Sequence, residues 1–334
     1  MTRMRELPFD RTPSRADNDS DMFQDLEVID FHAHFPVPEP AWEAQRKAKE
    51  AELGERRTKI AREYAVAYNT DWRLAWDYPA PERERQTDEQ LAKRWVGDLD
   101  KYGISRICWM TAGGNDNMAK VCAMYPDRFV GFAHHDPFGQ AAADELERCV
   151  SERGFRGYKL IGPQLERPIT DKSAYPTWEV CAAHKIPVLV HFGILGSGGG
   201  IANQINMNPL VLHDVAKAFP DVDFIVPHFG CGYITDTLML CWACRNVHID
   251  TSGSNQWVKW VQGDVTVKDL FRKYLETIGP ERILFGTDSS WFPRGFAIRY
   301  LQDQLRDLRD LNTPHASMAL IFAGNAKRLL KLPA

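Results

Sequence analysis

Eight short apolar runs recur along the chain, and stretches of helical pattern lie between most of them. The runs cover residues 28–33, 104–111, 129–135, 155–161, 187–192, 223–228, 247–252 and 282–287. None approaches the roughly 18 apolar residues of a membrane span. Most lack a clean polar alternation, which is the pattern of strands covered on both faces. The intervening stretches carry helix punctuation. Thr87-Asp88-Glu89-Gln90 spells a capping box, and that helix stops before Gly103. Tyr175 to His184 runs up to Pro187, and Val267 to Ile278 ends at Gly279-Pro280. Strands alternating with helices eight times over predict a parallel (β/α)8 barrel of the TIM type.

Length alone permits two domains, but α/β barrels of 334 residues run as one. The expected organisation is a loose polar segment at 1–25, then one barrel domain at 26–334. Residues 36–86 interrupt it after the first strand, far beyond the usual length of a βα loop. This insertion reads as a charged helical stretch, about 41–66, followed by an aromatic segment with Tyr64, Tyr68, Trp72, Trp76 and Tyr78. Lying after a strand, it is expected at the barrel mouth as a lid or pocket wall; the alternative is an extra helix packed on the outside. Gly196-Ser197-Gly198-Gly199-Gly200 has no phosphate-cradle context and reads as a loop over the same face.

The 41 Lys and Arg against 45 Asp and Glu leave a net charge of −4, which argues against a basic nucleic-acid-binding surface. Met1 to Glu6 shows no apolar signal segment, and seven cysteines fit reduced thiols, so a cytoplasmic setting is expected. Cys241-Trp242-Ala243-Cys244 lacks the second pair a zinc site needs and reads as core or interface packing.

Chemistry concentrates where the runs end. His32-Ala33-His34 closes the first run, and the two-residue period of a strand turns both imidazoles to one side. His191 is placed at the end of the fifth strand, His228 at the end of the sixth and Asp288 at the end of the eighth. In a barrel these ends converge on one pocket, where this gathering of histidines and a carboxylate reads as a catalytic metal centre. Lys159 in the fourth run reads as a substrate-carboxylate contact, a structural ion pair or, as a carbamate, a metal bridge. Arg294, Asn255, Trp291 and Trp72 are candidate substrate contacts by position. His134 and His135 read as structural, and Asp30 has no assignable role.

The segments VIDFHAH, GFRGYKL, VLVHFG, IVPHFG, VHIDTSG, RILFGTD and the closing Gly324-Asn325-Ala326-Lys327 resemble the amidohydrolase superfamily. The branch they look like contains aminocarboxymuconate-semialdehyde decarboxylase. The resemblance spans about residues 26–332 and implies a distorted (β/α)8 barrel with one divalent ion, usually Zn2+. It implies His32, His34, His191 and Asp288 as ligands, with Asp288 also moving the proton of a bound water. It implies His228 as the residue that polarises substrate or activates water, and a homodimer as the assembly. The first expectation for function is a metal-dependent hydrolase attacking a carbonyl, ester, lactone or amide of a small organic acid. The second is a non-oxidative decarboxylase of an unsaturated or aromatic acid. A non-catalytic barrel scaffold is the third. Positive charge facing a substrate carboxylate separates the first two, and the absence of an evident arginine in the first βα segment, Arg73 aside, tilts towards hydrolysis.

Overall fold

In a computed structural model describing residues 25–75, 77–196, 203–253 and 255–333, eight parallel strands form one sheet in the order β1 to β8. They are β1 (Ile29–Ala33), β2 (Arg106–Trp109), β3 (Phe129–His134), β4 (Gly157–Ile161), β5 (Val188–His191), β6 (Phe224–Val226), β7 (Val247–Asp250) and β8 (Ile283–Leu284). Each falls inside one of the eight apolar runs. The segment expected at 1–25 (apart from Asp25), the glycine run after Gly196, and Trp76 lie outside the described residues.

The sheet nearly closes on itself. Phe31 N–H donates to the Phe285 carbonyl at 3.0 Å, His34 N–H to the Ser289 carbonyl at 2.8 Å, and Ala33 bridges Ser289 in parallel. This seam joins the residues after β8 to β1. A buried cluster brings together Phe31 of β1, Phe132 of β3, Leu189 of β5, Ile225 of β6 and Leu284 of β8. Strands that far apart in order share a cluster only across a barrel interior, which is packed rather than open.

The helices are α1 (Pro40–Ala75), α2 (Asp88–Tyr102), α3 (Asn115–Met124), α4 (Gln140–Ser151), α5 (Tyr175–His184), α6 (His213–Ala218), α7 (Ile234–Ala243), α8 (Val267–Ile278), α9 (Ile298–Asp310), α10 (His315–Ala319) and α11 (Asn325–Leu330). The start of α2 carries the capping box read from its sequence. Gln90 N–H donates to Thr87 Oγ1, Thr87 N–H donates back to Gln90 Oε1, and Gly103 ends the helix with φ of 67°. Thr87→Ala is expected to cost about 1 kcal/mol of stability, read as a lowered midpoint in urea unfolding. Behind α2, fully buried Trp95 meets Trp109 of β2 edge-to-face at 5.1 Å.

The insertion departs from its sequence reading. Helix continues through Tyr64, Tyr68 and Trp72 as well, broken at Gly54, where φ is 74°. Beyond the break the chain turns back, so that Arg62 reaches Glu50 at 2.8 Å and Thr58 Oγ1 donates to the Glu50 carbonyl. The hairpin touches the barrel near its two ends. Glu39, just before α1, accepts the N–H groups of Ala112 and Gly113, and Trp42 lies against His134, 5.6 Å between centroids. At the far end Trp72 lies 5.7 Å from Trp291, in the loop after β8.

Candidate active site

His32 and His34 come from one strand end, with ring centroids 5.3 Å apart, as the two-residue period requires. Asp288 reaches them through the seam. Its N–H donates to the His32 carbonyl at 2.7 Å, which sets its carboxylate 3.2 Å from His34 Nε2 and 4.0 Å from His32 Nε2. The approach leaves no room for a side chain at Gly286, where a Cβ atom would lie 2.9 Å from that of His32.

Two expectations about position are corrected. Neither His228 nor Asp288 ends a strand. β6 stops at Val226 and β8 at Leu284, so both residues stand on the turns beyond, with φ of 57° and 56°. Phe229, at φ of 50°, continues the left-handed stretch. Non-glycine residues in this region cost on the order of 1–3 kcal/mol each and are held where surrounding contacts over-determine them. Around His228 those contacts come from Asp250 and Ser252.

Asp250 ends β7, is fully buried, and was not singled out from the sequence. One carboxylate oxygen lies 2.7 Å from His32 Nδ1; the other accepts Ser252 Oγ–H at 2.5 Å, Ser252 N–H at 2.9 Å and His228 N–H at 3.1 Å. Burial alone would raise this carboxyl, but His32, His228 and Ser252 outweigh it and hold Asp250 below the usual carboxylate range. An ionised Asp250 requires the proton on Nδ1 of His32 and leaves the Nε2 lone pair facing Asp288. Burial keeps His32 neutral, down to about 3, with Lys159 acting in the same direction. His34 Nδ1 meets Thr111 Oγ1 at 2.7 Å, and its Nε2 faces Asp288. Asp288 is itself held well below its ordinary value, because the surrounding imidazoles offset its burial.

His32, His34 and Asp288 therefore bring three ligand atoms within 4.8 Å of one another, a fit for a divalent cation. His191 stands beside this group rather than in it. Its Nδ1 faces His228 Nε2 at 3.1 Å and its Nε2 faces the Ile194 carbonyl at 3.1 Å. His228 Nδ1 meets the Ser252 carbonyl at 3.0 Å and so carries a proton. With both rings neutral, one of the two His191 contacts then sets lone pair against lone pair. A cation between the rings, or a further proton, relieves that conflict. The conflict is independent support for a cation at this end of the barrel.

Lys159 is buried in β4 with Nζ 3.4 Å from His32 Nε2, and among the described residues no carboxylate lies within 4.0 Å of it. Burial lowers its ammonium to about 8. Asp250 and Asp288 act on the ammonium in the opposite direction, from beyond direct ion-pair distance. Arg294 sits past Asp288, donating Nη2–H to the Asp288 carbonyl at 2.7 Å, while its guanidinium lies 3.9 Å over the Trp291 ring and 5.1 Å over Tyr78. Its buried Nε has no acceptor. Trp72, Tyr78 and Trp291 thus form an aromatic wall around one cation. Asn255, also buried, turns back on its own loop, donating to the carbonyls of Thr251 and Gly253 at 3.3 Å. Asp30, unassigned from the sequence, fastens the seam through Thr287, and burial lifts it to about 7. His134 Nδ1 meets the carbonyl of Lys159 and His135 Nε2 that of Ala142, both at 2.9 Å. The signal for Asp250 was present in Val247-His248-Ile249-Asp250, a buried acid ending an apolar run.

A profile of the amidohydrolase family matches residues 29–332. The chain belongs to the amidohydrolase family. Within that family's reach, it is 26% identical over 253 residues to a 2-keto-4-carboxy-3-hexenedioate hydratase of Sphingobium sp., covering 64% of this chain and 69% of the relative. It is 26% identical over 294 residues to a gamma-resorcylate decarboxylase of Polaromonas sp., covering 75% and 86%. The solved 5-carboxyvanillate decarboxylase of Novosphingobium aromaticivorans, which holds manganese and 4-hydroxy-3-methoxy-5-nitrobenzoic acid, superposes with a TM-score of 0.63 over 93% of this chain and 97% of its own. At 16% identity that likeness speaks for the fold. This amidohydrolase is an enzyme, and among its described residues no helix is long and apolar enough to cross a membrane.

Proposed function

We propose that this amidohydrolase is a metal-dependent carboxy-lyase that removes CO2 from a small aromatic or unsaturated carboxylic acid. The observation that carries the reading is Lys159, a buried ammonium 3.4 Å from a ligand histidine, on which Asp250 and Asp288 act from a distance while no carboxylate lies within 4.0 Å among the described residues. A cation buried without a partner is costly unless an anion joins it. The relatives named as decarboxylases support the same reaction. The hydrolytic reading favoured by the sequence shares the ligands, and in it Lys159 would hold a carboxylate that stays on the product.

His32, His34 and Asp288 would hold the ion, with His191 joining once its ring turns from the Ile194 carbonyl. A divalent ion there supplies a Lewis acid for substrate oxygens, and imidazole with carboxylate suits Zn2+ and also Mn2+. Lys159 and Arg294 orient the substrate carboxylates, and the wall of Trp72, Tyr78 and Trp291 packs against a planar ring. The α1 hairpin closes over this mouth as a lid. As the carbon–carbon bond breaks, its electron pair stays on the substrate carbon and CO2 leaves. That carbon takes up a proton from His228 Nε2, which must first be protonated from solvent because the Nδ1–H is held by the Ser252 carbonyl.

The test is CO2 release from a panel of hydroxylated aromatic carboxylic acids by metal-loaded enzyme, beside Lys159→Met and Arg294→Ala. Arg294→Ala is expected to raise KM about 10- to 100-fold, the worth of a charged hydrogen bond, with a smaller change in kcat. Turnover of a lactone or ester without CO2 release would decide for hydrolysis, and full activity of Lys159→Met would remove the observation on which the reading rests.

A further inference from the structure

On the proposed reading of the barrel mouth as the seat of a small acid, we infer that His134 decides specificity there: its Nε2 accepts a hydrogen bond from a hydroxyl group of the substrate. Two strands fix where this side chain points. Val130 and Phe132 of β3 belong to the cluster inside the barrel. The two-residue period turns His134 to the same side, one layer nearer the mouth. The register of the sheet agrees. His134 of β3 is the ladder partner of Lys159 of β4, so both side chains leave the same face. Lys159 ends 3.4 Å from His32 Nε2. His134 therefore stands beside that ammonium, at the ligand end of the barrel and not among the outer helices. His135, one residue on, points the other way, to the Ala142 carbonyl and Asn115.

One nitrogen of the ring is taken and the other is open. Nδ1 lies 2.9 Å from the Lys159 carbonyl, which can only accept, so the proton is on Nδ1. The backbone N–H of His134 donates to Asn115 Oδ1 at 2.9 Å, and Trp42 of α1 meets the ring edge-to-face, 5.6 Å between centroids. These contacts fix the backbone, the tautomer and the ring plane. Burial keeps the imidazole neutral, down to about 4, with Lys159 acting in the same direction. Nε2 is left with a lone pair that no donor meets among the described residues. The residue is half-buried, not sealed in the core. A neutral acceptor beside an ammonium sorts two substrate groups. A carboxylate goes to Lys159, because a lone pair repels an anion. A hydroxyl goes to His134, because only a donor satisfies that nitrogen. The substrate class narrows from a small acid to a hydroxy acid.

The experiment is titration calorimetry of the full chain, loaded with Mn2+, against benzoate and its three monohydroxy isomers, with thermal unfolding of each variant as the folding control. The wild-type chain is expected to bind at least one hydroxybenzoate about 10-fold more tightly than benzoate, the worth of one hydrogen bond. His134→Asn sets an amide nitrogen near the place of Nδ1, so the bond to the Lys159 carbonyl survives while the acceptor at Nε2 is lost. In this variant the ratio of the two affinities is expected to fall to about 1. His134→Gln, whose amide oxygen reaches the place of Nε2, should keep part of the preference. A purely structural His134 leaves the ratio intact in both variants, and that result overturns the inference. So does a wild-type ratio of about 1 for all three isomers. Should His134→Asn not fold, His134→Leu makes the same decision. Binding of none of the four acids overturns the inference together with the reading of the mouth. CO2 release tells the two apart. A hydroxyl preference abolished by His134→Asn, in an enzyme that releases no CO2 from any acid it binds, keeps this inference and sinks the carboxy-lyase. CO2 release with a ratio that the variant does not move does the reverse.

Discussion

Asp288→Asn is expected to lower kcat/KM by about 10^3-fold or more, the range lost with an essential acid–base group or a metal ligand. Asparagine keeps the shape of aspartate and accepts the left-handed conformation, φ 56°, in which residue 288 is held. The N–H to His32, which positions the residue, comes from the backbone and survives the change. What is lost is the negative charge 3.2 Å from His34 Nε2 and 4.0 Å from His32 Nε2. Unfolding in urea should therefore be little altered, while metal content, read by mass spectrometry on protein purified without chelator, should fall. Loss of fold together with activity would make Asp288 a structural residue. Full metal and full activity would exclude it from the ligand group.

Asp250→Ala is expected to be the most destabilising single change at the site, by about 3–5 kcal/mol, the cost of stripping one partner from a buried charged network. It removes an acceptor shared by His32 Nδ1, Ser252 and the His228 N–H, all in the interior. It also frees His32 to take the other tautomer, with a proton on the nitrogen that faces Asp288, so metal affinity should drop by about 10- to 100-fold. Asp250→Asn separates the two effects. It keeps an acceptor oxygen and most of the packing, but cannot fix the tautomer by charge. Denaturant unfolding and metal titration of both variants check this. Wild-type stability and metal binding in both would mean that the Asp250 network does not orient His32.

Much of the architecture was legible along the chain because it is local. An apolar run of six to eight residues has one way to be buried on both faces, and eight of them with helical stretches between most leave few topologies. The α2 capping box is spelled within four residues, and the structure shows both of its hydrogen bonds. The pairing of His32 with His34 follows from the strand period alone. The α1 hairpin was only partly legible: its charged helix was visible, but its continuation through Trp72 and its break at Gly54 were not. That helix has almost no buried face, so no hydrophobic period marks its bounds.

The site beyond that pair depended on long-range contacts. His228 and Asp288 sit on left-handed turns past their strands, a conformation that no residue pattern nearby announces. Asp250 meets His32 from 218 positions away, and only the closed sheet brings them together. Lys159 could be a paired lysine or a waiting cation until the surrounding carboxylates had positions. The order of strands and helices, the HAH pair and the residues available for chemistry were properties of the sequence. Which nitrogens face Asp288, and how far Lys159 stands from the carboxylates around it, were decided by tertiary structure. Period and propensity act over a few residues, whereas ligand geometry, charge pairing and exposure depend on what the fold places opposite each side chain.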